Sequence, residues 1–148
     1  MLAGFPLDRL MLEVTEHTSV DDYVQIAAAL KPLRDSGLKL AVDDAGAGYA
    51  SFRHILKLQP DVIKLDVSLI RQIDSDTGCR ALAGALIRFA EETGSKIVAE
   101  GVETVEELRA LRELQVNKAQ GYLLGRPALI DALPSQPAWG DSPPAGRL

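Results

Sequence analysis

Glu13, the adjacent pair Asp43 and Asp44, Lys64 and Glu100 each fall at the end of a short apolar run, where a strand gives way to a loop. Around them stand Glu16, Asp66, Glu103 and Gln120, in the stretches Glu13-Val-Thr-Glu16, Lys64-Leu-Asp66, Glu100-Gly-Val-Glu103 and Gln120-Gly-Tyr122. Carboxylates gathered at one rim repel one another unless positive charge sits among them. Hard divalent cations such as Mg2+ or Mn2+, which prefer oxygen ligands, supply that charge. Asp43 and Asp44, with Glu13 and Glu100 nearby, suit a two-metal centre that activates water and clamps an in-line phosphoryl displacement. Lys64 adds a point charge for a phosphate oxygen or for the attacking water.

Such a rim requires parallel strands whose C-terminal ends lie together. The apolar runs at 10–14, 38–42, 62–65, 96–99 and 119–123 read as buried strands. Helical segments separate them. Ser19-Val-Asp-Asp22 offers an N-cap with an acid three residues on, and Gly37 closes the helix that follows. A short helix over 51–58 is stopped by Pro60, and a third over 80–93 ends at Gly94. Thr104-Val-Glu-Glu107 repeats the capping device before a helix that carries Leu108, Leu111 and Leu114 at helical spacing. This β-α alternation predicts parallel strands joined by right-handed crossovers. Barrels and open sheets of this kind both place their sites at the strands' C-terminal ends. Past Arg126-Pro127 the pattern fades. Residues 1–130 are read as one domain, and 131–148, with Pro134, Pro137, Pro143, Pro144 and the single tryptophan Trp139, as a disordered tail.

Plainer readings compete with these. A lone acid at a strand end is often only a helix N-cap, a role open to Asp66 before Ser68 and to Glu103 before Thr104. Four of five strands closing on acids are harder to explain that way. His17 reads as a surface loop residue, and His54, on a helix flanked by Lys and Arg, as solvated. Gly46, Gly48 and Ser51 have the spacing of a dinucleotide-binding loop, and Asp66 lies about twenty residues on, where such a fold keeps its ribose acid. Two aspartates beside a pyrophosphate argue against it. The glycines better serve a loop that swings over a metal-bound substrate.

Composition narrows the classes further. The chain has 148 residues, 47% hydrophobic and 25% charged, as expected of a single globular domain. A net charge of −5 leaves no basic stripe for a polynucleotide. Cys79 is the only cysteine, so no internal disulfide forms, and a packing role is expected for it. No signal-peptide pattern opens the chain and no apolar run approaches the ~20 residues of a membrane span, so a cytoplasmic location is expected.

Taken in order, "LMLEVTE", "LAVDDAGAGYAS", "DVIKLD", "VAEGVE" and "AQGYLLGRP" resemble the later motifs of EAL domains, bacterial phosphodiesterases that open cyclic di-GMP to linear pGpG. The resemblance runs over residues 10–127 and implies a TIM-type (β/α)8 barrel with two Mg2+ or Mn2+ ions. It implies that Glu13 and Asp43 are metal ligands, with Asp43 between the ions and Asp44 on the second. Lys64 resembles the lysine that positions the hydrolytic water, and Glu100 the glutamate that acts as general base or holds the second ion. Glu103 and Gln120 resemble groups that support the substrate side. Glu16 resembles the anchor of the loop after Asp44, and Asp66 belongs to the same neighbourhood.

The departures from that family shape the expectation as strongly. Glu-Ala-Leu occurs nowhere in the chain, and the only asparagine is Asn117, so two upstream metal ligands of the family are missing. Ala45 and Ala47 stand where the family more often has Phe and Thr or Ser. Five strands cannot close an eight-stranded barrel, so the chain is read as its C-terminal five-eighths, with exposed sheet edges that an upstream segment or another chain would cover. Little turnover is expected from it alone, and the family implies a homodimer. Two rival readings are a non-catalytic module that binds cyclic di-GMP or a protein, and an unrelated metal-dependent hydrolase.

Overall fold

The computed structural model describes residues 6–15 and 22–129. Its elements run β1 (Met11–Val14), α1 (Tyr23–Asp35), β2 (Lys39–Ala45), α2 (Tyr49–Leu58), β3 (Val62–Leu65), α3 (Val67–Ile70), α4 (Thr77–Thr93), β4 (Lys96–Ala99), α5 (Val105–Glu113) and β5 (Lys118–Ala119). The strands form one sheet in the order β1-β2-β3-β4-β5, every pair parallel. Each strand therefore pairs with the next in the chain. The strand order nowhere reverses, so the sheet has no crevice of the kind in which a doubly wound fold holds a dinucleotide. The phosphate-loop reading of Gly46 and Gly48 loses its structural context.

Alternation along the strands makes two faces. Ile63, Leu65, Ile97 and Ala99 are fully buried and pack with Ile70, Ile73, Leu86, Ile87 and Leu111 from the helices. A second cluster joins Val14, Leu40 and Leu58 to Tyr23, Ile26 and Leu30 of α1. Lys64 and Val98 alternate with the buried residues and so face the other side of the sheet.

Local signals start and stop the helices largely as expected. Thr104 and Glu107 form a reciprocal capping box on α5, Gly37 follows α1 with φ 105°, and Gly94 caps α4 in the left-handed conformation. The N-cap of α1 is Asp22, which accepts from the Gln25 N–H; Ser19, Glu16 and His17 lie outside the described residues, as do 130–148. α4 starts at Thr77, because Asp76 caps it. Cys79 packs against the core as expected.

Three expectations need correction. β2 continues to Ala45 instead of ending at Val42. β5 is only Lys118–Ala119; after it the Val102 N–H donates to the Gln120 carbonyl and the Leu124 N–H to that of Gly121, which turns the chain out of the sheet. His54 is buried at 2% exposure, not solvated. Its ring Nδ1 lies 3.0 Å from the Tyr23 hydroxyl, and burial, helped by neighbouring Arg53, lowers its pKa. The spacing Ser51, His54, Ile55, Leu58 puts it on the inward stripe of α2.

At the N-terminal ends of the strands, Asp61 accepts from the Leu40 N–H at 2.9 Å, from Lys39 at 3.1 Å and from Arg34 at 3.2 Å, while Arg34 also donates to the carbonyls of Leu58 and Gln59. Burial alone would raise the Asp61 pKa, but these donors outweigh it and hold the carboxyl below its usual range. Its contribution is therefore present above the unfolded carboxyl pKa and lost as pH falls through the lower folded value. Asp61→Asn should cost about 1–2 kcal/mol at pH 7 and less at pH 3, read from urea denaturation at both.

Candidate active site

Three of the carboxylates predicted to converge, Glu13, Asp43 and Glu100, meet around a single ammonium group. Lys64 Nζ donates to Glu13 Oε2 at 3.1 Å and to Asp43 Oδ2 at 3.1 Å, and pairs with Glu100 Oε1 at 2.9 Å. Glu13 comes from β1, Asp43 from β2, Lys64 from β3, and Glu100 follows β4 directly, so four adjacent parallel strands each contribute one group. Gln120 Nε2, just beyond β5, donates to the same Glu100 oxygen at 2.5 Å.

A register shift in β2 produces part of this geometry. Val42 pairs with Ile63 and Ala45 with Leu65, so Asp43 and Asp44 together oppose the single residue Lys64. This is a bulge, the device by which a strand re-aims side chains beside a site. Asp44 takes up the extra residue with φ 55°, and its N–H donates to Asp43 Oδ1 at 3.0 Å. The buried Ala45 re-enters the sheet behind the pair.

The charges settle unequally. Burial would lower the Lys64 pKa, but the hydrogen bonds it donates to Glu100, Asp43 and Glu13 outweigh it and hold the lysine above its ordinary range. Lys64 is therefore a fixed cation and no proton acceptor. Glu100 moves up in spite of its lysine partner, first through burial and then through repulsion from Asp43 and Glu13. A carboxylate raised in this way moves toward the range a general base needs near neutral pH.

Asp66 and Glu103 stand apart from that centre. Asp66 caps α3, accepting from the Ser68 N–H and hydroxyl. Glu103 pairs through both oxygens with Arg71, which holds its pKa below the usual range. Sequence reasoning missed Arg71 because it missed α3; Asp66-Val-Ser68 was the capping signal that would have found both. Glu107 is also placed by its cap, accepting from the N–H groups of Glu103 and Thr104.

Three carboxylates against one ammonium leave negative charge in excess, and their all-oxygen donor set fits a hard divalent cation. Among the described residues, no three acidic, histidine or cysteine side chains are grouped so as to hold a metal ion by themselves. The fit is thus one of donor chemistry, with the set incomplete. No described helix is long and apolar enough to cross a membrane.

The EAL domain family model matches residues 2–127. The cyclic di-GMP phosphodiesterase NbdA of Pseudomonas aeruginosa is 39% identical over 131 residues, covering 88% of this chain and 17% of that protein. BlrP1 of Klebsiella pneumoniae, solved as a manganese/cy-diGMP complex, superposes with a TM-score of 0.73 at 39% identity over 81% of this chain and 31% of that one. The EAL domain of Mycobacterium smegmatis DcpA gives a TM-score of 0.78 at 34% identity, covering 85% of this chain and 56% of that one. The chain thus spans only part of the length of the proteins it matches.

Lys64→Met removes the cation that three carboxylates share. It should destabilise the fold by about 1–3 kcal/mol at pH 7, with the deficit shrinking by pH 5 as Glu100, with its raised pKa, takes up a proton. Thermal melts of both proteins at the two pH values check this; a deficit that grows toward acid would overturn the electrostatic account.

Proposed function

This chain belongs to the EAL domain family, and from that premise we propose that it carries part of the active site of a metal-dependent phosphodiesterase that hydrolyses cyclic di-GMP to linear pGpG. The observation that carries the reading is the meeting of Glu13, Asp43 and Glu100 on Lys64 at the C-terminal ends of adjacent strands. Glu13, Asp43, Asp44 and Glu100 would hold the Mg2+ or Mn2+ ions. The chemistry such ions would supply there is a water of lowered pKa and neutralisation of the phosphate charge.

Within this reading the chain's own residues divide the work. Lys64, permanently protonated, holds the attacking water or a phosphate oxygen. Glu100 takes the proton as the water oxygen bonds to phosphorus. The bond from phosphorus to the 3′ oxygen breaks, that oxygen takes a proton from solvent water, and the ring opens. Gln120 fixes the Glu100 carboxylate through its 2.5 Å hydrogen bond. Glu103 and Asp66 support the substrate side, and Glu16 anchors the loop after Asp44.

The family resemblance implies two further metal ligands that none of these 148 residues supplies, and the chain alone would turn over little. A second reading is a module that binds cyclic di-GMP without cleaving it. Release of pGpG in Mg2+ or Mn2+, by this chain with and without the upstream part of its domain, separates the two. The complemented protein should be active and lose at least about 100-fold in kcat with Glu100→Gln. Glu100→Gln indistinguishable from wild type would sink the enzymatic reading, and binding unaffected by Asp43→Asn would favour the module.

A further inference from the structure

His54 is a buried titratable group that the hydrolytic step does not use. Among the described residues its one hydrogen-bond partner is the Tyr23 hydroxyl of α1, 3.0 Å from Nδ1. The two ring centroids lie 5.7 Å apart. Nε2 is buried as well and has no partner among the described residues. A neutral imidazole can leave Nε2 as a bare lone pair while Nδ1–H donates to the Tyr23 oxygen. An imidazolium makes both nitrogens donors, so it would bury a charge and leave the Nε2 proton with nothing to receive it.

The charged groups around it offer no counter-ion. On α2, Arg53 has its guanidinium carbon 5.3 Å from the Tyr23 ring centroid and opposes a second cation, and Lys57 is exposed and of the same sign. On α1, Asp22 caps the helix at the Gln25 N–H, Lys31 and Asp35 pair with each other, and Arg34 is engaged by Asp61. On β1 and β2, Glu13 and Asp43 are drawn to Lys64, Lys39 to Asp61, and Asp44 stands at the bulge.

α1 is the helix that this contact can move. It has no fully buried residue, whereas α4 buries Ala83, Leu86, Ile87 and Ala90. Arg34 ties its last turn to the Leu58 and Gln59 carbonyls. Pro32, which has no N–H, cannot bond to the Ala28 carbonyl, so the first turns are less firmly stitched to that anchored end. Those turns rest on Tyr23, Ile26 and Leu30, packed against Val14, Leu40 and Leu58. Val14 adjoins Glu13, so the contact stands beside the site without belonging to it.

We propose that the Tyr23–His54 contact is a pH-sensitive clasp: when His54 takes a proton, the first turns of α1 lift from α2 while the rest of the sheet stays folded. The closed form holds the proton less tightly than water-exposed histidine does. Opening restores the ordinary affinity, so acid favours the open form below about pH 6.5. Asp61 titrates lower, in the carboxylate range, and keeps the last turn in place.

Hydrogen exchange of the 148-residue chain at pH 7.5 and 5.5, corrected for intrinsic rates, tests this. Protection of the amides at 26–31 should fall about threefold to tenfold on acidification, while those at 83–90 in α4 change less than about twofold. His54→Gln and His54→Phe, which cannot titrate, should abolish the fall. Glu100, with its raised pKa, titrates alike in all three proteins, so the difference reports His54. A fall of equal size in the variants, no fall in the wild type, an equal fall in α4, or no protection of α1 at pH 7.5 overturns the proposal. Should both variants fail to fold, NMR titration of the two histidine rings in the wild type decides. One should titrate below 6.5; both at or above it overturns the clasp.

Discussion

One lysine holds together what would otherwise repel. The carboxylates of Glu13, Asp43 and Glu100 come from three elements and share no sequence neighbourhood, yet all reach the ammonium of Lys64, whose side chain is only 12% exposed. Because that group is largely withdrawn from water, its attraction for each carboxylate is stronger than at an open surface. The position of Lys64 on β3, between the fully buried Ile63 and Leu65, fixes the ammonium relative to the core. Anything that moves β3 along its own axis disturbs all three contacts.

The sheet order makes this meeting possible. With β1 to β4 in chain order and all parallel, the chain leaves each strand at the same edge of the sheet, and four successive strand ends stand side by side. In an antiparallel sheet, alternate ends would lie at the opposite edge. The helices matter to the site mostly at second hand. Their apolar stripes bury the face of the sheet opposite the one that carries Lys64. Asp61 and Arg34 do the corresponding work at the other end, tying α1, β2 and β3 together away from the chemistry.

Much of this was legible in the residues. The apolar runs that end in Glu13, Asp43, Lys64 and Glu100 revealed both the strands and the converging groups, since a buried parallel strand has a strong pattern and a polar residue at its end stands out. Asp66 and Glu103 were harder, because the same residue type serves as cap and as ligand; Asp66 does cap α3, and Glu103 is engaged by Arg71. His54 misled because charged neighbours along the chain were weighed above its helical phase, where Ile55 and Leu58 share its stripe. The bulge at Asp43 and Asp44 left no periodic trace. It depends on the pairing of β2 with a strand twenty residues away, and local pattern carries no register.

That bulge narrows what evolution can write at one position. At Asp44 the backbone is left-handed, a conformation that few residues besides glycine, asparagine and aspartate adopt without strain. Of these only aspartate carries a charge. Glutamate would keep the charge and strain the chain, whereas asparagine would keep the chain and drop the charge. The backbone at position 44 therefore restricts the choice to these few residues, and aspartate is the one among them that adds negative charge to the rim.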